Sequence, residues 1–129
     1  MEKRGGNEVR AFLEARGLRR EIYPFGESPH NSELAAKQLG VEVGQIAKTI
    51  LLMVDEMPVV VVISGDRRVH WKVKALRGGK RVRLAGPEDA AAHTGFEVGA
   101  TSPVALPAGI PLYQDLSLRR FETIYPAVG

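Results

Sequence analysis

The sequence predicts a single mixed α/β domain built from several short strands, and three observations point to it. "AKTILLMV" (47–54) and "PVVVVIS" (58–64) are near-continuous apolar runs joined by the turn "DEMP", the pattern of paired strands covered on both faces. Short amphipathic stretches around them are punctuated by Gly17, Gly40, Gly78 and Gly95, where glycine ends helices. With 129 residues, 44% of them hydrophobic, the chain can fill one core and not two.

The elements follow in order. Asn7 is placed to cap a helix with apolar positions Val9, Phe12 and Leu13, stopped by Gly17. "LRREIY" reads as a short strand and "PFGESPHN" as a loop. Ser32 starts a second helix, with Leu34, Ala35, Gln38 and Leu39 on one face and Gly40 at its end. After the two apolar strands, "VHWKVKALRGG" reads as a strand end leading into a short helix stopped by Gly78. "RVRLA" is a further strand, and Pro87 opens a helix through Ala90 and Ala91 that Gly95 ends. Strands near "IPLY" and "FETIY" complete the chain. No repeat, low-complexity tract or linker interrupts it.

Composition narrows the chemistry. Without cysteine, disulfides, thiolate zinc sites and a cysteine nucleophile are excluded, and a reducing compartment is implied. There is no run of eighteen apolar residues, so a soluble, cytoplasmic protein is expected. Net charge is only +3, but its distribution is uneven. Arg67, Arg68, Lys72, Lys74, Arg77, Lys80, Arg81 and Arg83 fall in one segment without an acid. Such a run is a footprint for phosphates, although a solvated basic face accounts for it equally well.

Few residues look catalytic. His30, His70 and His93 lack metal-ligand spacing, and Ser102 is not in a Gly-x-Ser-x-Gly elbow. No phosphate-binding Gly-x-x-x-x-Gly-Lys loop is present. Lys48 stands out because it opens the most apolar strand, where an ammonium costs desolvation unless it reaches a pocket or partner. From position alone, a lysine extending its ammonium to water from a strand end explains it. The segment "TGFEVGATSPVALPAGIPLY" (94–113) is also unusual, being stiffened by three prolines, broken by Gly95, Gly99 and Gly109, and almost uncharged.

"GVEVGQIAKTILL", "RVRLAGPEDAAAHTGFEVGATSP" and "FETIYPAVG" resemble the YbaK-type aminoacyl-tRNA deacylases. That family is related to the editing domain inserted in bacterial prolyl-tRNA synthetases. The shared pattern is Leu-Gly-Val, Gln-Ile-x-Lys-Thr-Leu/Ile, a Thr-Gly-Tyr/Phe-x-Val-Gly-Gly-x-Ser-Pro-x-Gly loop, and an aspartate before a final strand. It runs in order over about residues 34 to 129.

The resemblance implies one editing domain over residues 1–129, with a mixed, largely antiparallel sheet curled into a partial barrel and flanked by short helices. It implies a freestanding enzyme that hydrolyses the ester of a mischarged tRNA. The amino acid would be small, such as Cys or Ala, on a proline tRNA, with prolyl-tRNA synthetase as a further partner. Lys48, Gly99 and Ser102 are implied in catalysis, and Tyr23, Thr49, Gly95, Ala100, Thr101, Pro103 and Asp115 in substrate binding. Asp115 falls where the family places an aspartate near the substrate amino group. No convincing nucleophile is present, so water, a tRNA ribose hydroxyl or the substrate's own side chain would attack, with no metal or cofactor. For tRNA binding the expected residues are Arg67, Arg68, Lys72, Lys74, Arg77, Lys80 and Arg81.

Three departures bear on the amino acid removed. Ala100 and Ala105 replace family glycines, which is expected to add methyl groups to the pocket wall. His30 and Asn31 stand where cysteine-directed relatives carry an aromatic. Family members also continue, with a strand and a helix, beyond the glycine matched by Gly129. Two alternatives remain at this level: a non-catalytic RNA-binding module using the basic segment, and a small-molecule-binding domain.

Overall fold

The computed structural model describes residues 3–17, 31–70, 72–73, 78–97 and 101–126. The expected elements at "LRREIY" and most of "PFGESPHN" lie outside these residues, as do Trp71 and 74–77.

Helix α1 (Gly6–Ala15) begins one residue before the expected cap, Asn7. Gly5 holds the capping position, and its N–H donates to the Glu8 carboxylate at 2.7 Å, which satisfies an amide that the helix leaves open. Helix α2 (Ser32–Leu39) is capped by Asn31, whose Oδ1 accepts from the Leu34 N–H at 2.8 Å. Gly40 ends it in the left-handed conformation, at φ 70°. The expected buried face is shifted by one residue. Ala35 and Ala36 are buried with Ile46, Leu39 packs beside them, and Leu34 and Gln38 are exposed.

Strands β1 (Ile46–Val54) and β2 (Met57–Ser64) form an antiparallel hairpin with Leu51 opposite Val60 and Lys48 opposite Ile63. Its turn is only Asp55-Glu56, at φ 49° and 63°. Positive φ at both central residues gives the turn the twist of the strands it joins, so Met57 and Pro58 enter β2 rather than the turn.

Strand β3 (Val82–Leu84) pairs antiparallel with the end of β1. Strand β4 (Leu112–Gln114) lies parallel to β2, and β5 (Tyr125–Pro126) parallel to the start of β1. The order is β3-β1-β2-β4 with β5 beside β1. The sheet is largely antiparallel by paired residues, as expected, and it is open rather than closed into a barrel.

Both faces are covered, as the apolar runs imply. On the first, Ala47, Leu51 and Met53 of β1 and Val60 and Val62 of β2 pack with Ala90 of helix α3 (Pro87–His93), Ala85 and Leu118. Leu106 and Ile110, from the glycine-proline segment, close over this face. On the second, Leu52, Val61 and Ile63 pack with Ile50, Val82 and Tyr113, and with Val69 and Val73 of the basic segment. That segment is therefore laid along the sheet by its valines, with Arg67, Arg68, Lys72, Lys80 and Arg81 exposed. Among the described residues no helix is long and apolar enough to cross a membrane.

Candidate active site

Lys48 is half-buried, and its side chain makes no hydrogen bond or ion pair with the described residues. Strand alternation sets it on the second face with Ile50 and Leu52, opposite Ile63. Asp115 extends the β2–β4 ladder by one bond, its N–H donating to the Val62 carbonyl at 2.8 Å. Continued register places it beside Ile63 on that same face. Lys48 and Asp115 thus flank one isoleucine, two strand spacings or roughly 9.5 Å apart in the backbone.

Asp115 is held by the turn that follows it. It caps the 3-10 segment Leu116–Arg120, its Oδ2 accepting from the Ser117 N–H at 2.9 Å. A hydrogen bond from the Ser117 side chain, then that backbone bond, hold its carboxyl below the usual aspartate value, and the Arg67 and Arg120 guanidinium groups add to this. The carboxylate is exposed, so it stays ionised while facing solvent.

Thr49 lies on the opposite face, between Ala47 and Leu51. Its Oγ1 is buried without a hydrogen-bond partner, and it stands alone in this among the described side chains. An orphaned buried hydroxyl costs about 1–3 kcal/mol and is a natural contact for a ligand. Thr49, not Lys48, therefore shares its face with the glycine-proline segment.

That segment is clasped at its start and at its middle. The Gly95 carbonyl accepts from the Arg4 N–H at 2.7 Å, and the Ala105 carbonyl from Arg4 Nη1 at 2.6 Å. Gly95 has φ 78°, which a side chain would resist. Thr101 and Ser102 are buried and Pro103 is half-buried. Ser102 Oγ accepts from the Val104 N–H at 3.2 Å, so the hydroxyl shapes the loop turn. Ala105 departs from expectation: its methyl is buried with Val9 and Phe96 rather than set on an open wall, at φ 60°. Tyr23, Gly99 and Ala100 lie outside the described residues, as do Lys74 and Arg77 of the basic run.

The cations of the run are not equivalent. Arg83 is forked between Glu56 and Asp89, at 2.8 Å to each, and is electrostatically spent. Asp55 accepts the Lys80 and Arg81 backbone N–H groups at 3.2 and 2.9 Å, which fixes the segment's end to the hairpin turn. Near Asp115, Arg120 grips Asp66 with two bonds of 3.1 and 2.7 Å. Sequence reasoning missed this pair and the clasp at Arg4, because the partners are 54 and 101 residues apart and no local pattern links them.

Comparison with known proteins places the fold. Residues 27–129 match the family model of the aminoacyl-tRNA editing domain. EbsC of Enterococcus faecalis, described as a candidate Cys-tRNA(Pro)/Cys-tRNA(Cys) deacylase, is 29% identical over 109 residues, 83% of this chain and 66% of EbsC. The proline–tRNA ligase of Nitratidesulfovibrio vulgaris is 35% identical over 91 residues, 70% of this chain and only 16% of the ligase. A solved structure described as a candidate trans-editing enzyme for prolyl-tRNA synthetase superposes with a TM-score of 0.87 at 29% identity, covering 96% of this chain and 80% of that one. The chain belongs to the aminoacyl-tRNA editing domain family, and its activity is that of an aminoacyl-tRNA deacylase.

Proposed function

We propose that this chain is a single, freestanding editing domain that works in trans in the cytoplasm. It would remove a small amino acid, Cys or Ala, from a mischarged proline tRNA, in functional association with prolyl-tRNA synthetase. The names of EbsC and of the solved relative support that choice of substrate and partner. Editing by a second site answers the weakness of apolar pockets in rejecting smaller side chains, where one methylene is worth about 1–3 kcal/mol.

The observation that carries the mechanism is the pairing of Lys48 and Asp115 on one face across Ile63. The Asp115 carboxylate would hold the α-ammonium, and the Lys48 ammonium would neutralise charge developing on the ester carbonyl oxygen. The site would straddle the end of the sheet, with the Thr49 hydroxyl reaching the aminoacyl-adenosine from the opposite face, where the glycine-proline segment lies. Tyr23, Gly95, Ala100, Thr101 and Pro103 would line the pocket, with the Gly99 amide and Ser102 shaping the oxyanion contact. Arg67, Arg68, Lys72, Lys74, Arg77, Lys80 and Arg81 would follow the tRNA backbone. In hydrolysis water adds to the ester carbonyl, the bond to the ribose oxygen breaks, and free amino acid and uncharged tRNA leave.

Purified protein incubated with alanyl-, cysteinyl- and seryl-tRNA tests this directly. Release of free amino acid from one or more is expected, fastest for a mischarged proline tRNA. Salt-sensitive tRNA binding without any turnover would replace the enzyme with a binding module.

A further inference from the structure

We propose that Arg67 binds the phosphodiester immediately 5′ of the aminoacylated adenosine, and so is the residue by which this site distinguishes tRNA from other aminoacyl esters. This rests on the deacylase reading and assigns one subsite within it.

The argument begins with position. Beyond Ser64 the chain turns through Gly65 and Asp66 at the end of the sheet where Lys48 lies, and the Gly65 N–H donates to the Ile46 carbonyl at 2.7 Å. The turn is tightly built. A Cβ on Gly65 would meet the Val43 carbonyl at 2.6 Å and Ser32 Cβ at 2.7 Å. Arg67 follows, its N–H donating to the Ser64 carbonyl at 3.0 Å. Ser64 in turn donates its N–H to Ser117 Oγ at 3.2 Å, and the Ser117 N–H donates to Asp115. A continuous chain of hydrogen bonds thus ties Arg67 to the carboxylate assigned to the substrate ammonium. The field of Arg67 is felt at Asp115, where it favours the ionised carboxyl.

Availability is the second point. Asp66 is the carboxylate beside Arg67, but both its oxygens are taken by Arg120, whose Nε also donates to the Ser117 carbonyl at 2.8 Å. Arg67 reaches Asp66 only at 3.5 Å, against 2.7 Å for Arg120, and its side chain is 53% exposed. The Arg120–Asp66 clamp therefore leaves the Arg67 fork turned to solvent with donors to spare. Arg83 is the contrast, at the far end of β1 opposite Met53 and held by two carboxylates. A guanidinium with unused donors beside an ester site suits a phosphodiester, which it can bind through two parallel bonds.

The test compares two substrates that differ by one phosphate: 3′-aminoacyl-adenosine and the dinucleotide cytidylyl-(3′→5′)-aminoacyl-adenosine. In the unaltered protein the dinucleotide should have the lower KM, by about tenfold for one charge-assisted contact. Arg67→Gln should erase that advantage, raising the KM of the dinucleotide far more than that of aminoacyl-adenosine, and Arg67→Lys should restore part of it. With full-length aminoacyl-tRNA, the slope of log KM against log salt should fall by about 0.7 in Arg67→Gln, the value for one single-strand phosphate. Arg83→Gln, which removes the same charge elsewhere, should keep the full dinucleotide advantage. If Arg67→Gln retains the advantage, or loses activity equally on both substrates, the assignment is overturned. An unaltered protein inactive on every ester would instead overturn the deacylase reading itself.

Discussion

Lys48 and Asp115 stand on either side of Ile63 on one face of the sheet, although 67 positions separate them in the chain. The register of three adjacent strands creates the relationship, β1 contributing the ammonium and the end of β4 the carboxylate. Both groups are anchored by backbone ladders rather than by each other, so their spacing is preset before a substrate arrives.

Lys48→Ala should lower turnover by roughly 10²–10³, the usual effect of removing one group that stabilises an oxyanion, with little change in melting temperature because the Lys48 side chain bonds to no described residue. Asp115→Asn should instead raise KM, since asparagine keeps the cap over Ser117 but loses the charge. Steady-state kinetics on aminoacyl-tRNA separates the two effects. Near wild-type turnover in folded Lys48→Ala would remove that residue from the mechanism.

Thr49→Val is expected to separate stability from activity. It removes a buried hydroxyl that has no partner, so the melting temperature should hold or rise, within the 1–3 kcal/mol desolvation cost of such a group. Activity should fall by about tenfold, the loss of one hydrogen bond to substrate. Thermal melts alongside kcat/KM decide it, and a less stable variant with full activity would make Thr49 purely structural.

Arg4→Met should loosen the glycine-proline segment. The guanidinium bond to the Ala105 carbonyl is part-buried, and a bond of that kind contributes about 1.5–3 kcal/mol. Hydrogen exchange should quicken at the amides of Thr101, Ser102, Val104 and Ala105, and KM should rise for all aminoacyl esters together. Unchanged exchange there would show that the clasp does not restrain the loop.

The Arg83 fork makes an acid-labile contribution to stability. The Arg83 side chain, and then the Gly86 N–H, lower the Asp89 pKa from 3.8 to about 2. A carboxyl depressed on folding stabilises the fold fully above its unfolded value and loses that contribution as pH falls through the folded one. Asp89→Asn should therefore melt below the parent at pH 7, and the gap should narrow between pH 4 and pH 2. A gap independent of pH in that range would mean that charge is not what the fork supplies.

Much of the fold was legible because its determinants are local. The apolar runs specified the hairpin, Ser32 and Gly40 bounded α2, and Pro87 opened α3. The cap of α1 was misplaced because Asn7 competes with a Gly5–Glu8 bond that depends on the approach of the chain. The α2 face was misjudged because the packing of Ile46 and Tyr125, far along the chain, selects Ala36 over Leu34.

The same division holds at the site. A lysine in an otherwise apolar strand and an uncharged glycine-proline segment are visible in the residues themselves, because each departs from its surroundings. The sequence by itself determined the hairpin and marked Lys48, and its resemblance to the family supplied Thr49 and Asp115 as further candidates. Only the tertiary structure decided that Lys48 and Thr49 serve opposite faces, that Ala105 turns its methyl into the core beside Phe96, and that Arg67 keeps its donors while Arg83 does not. Those outcomes depend on strand register and on pairings between residues tens of positions apart, which arise only when the chain closes on itself and no local pattern encodes them.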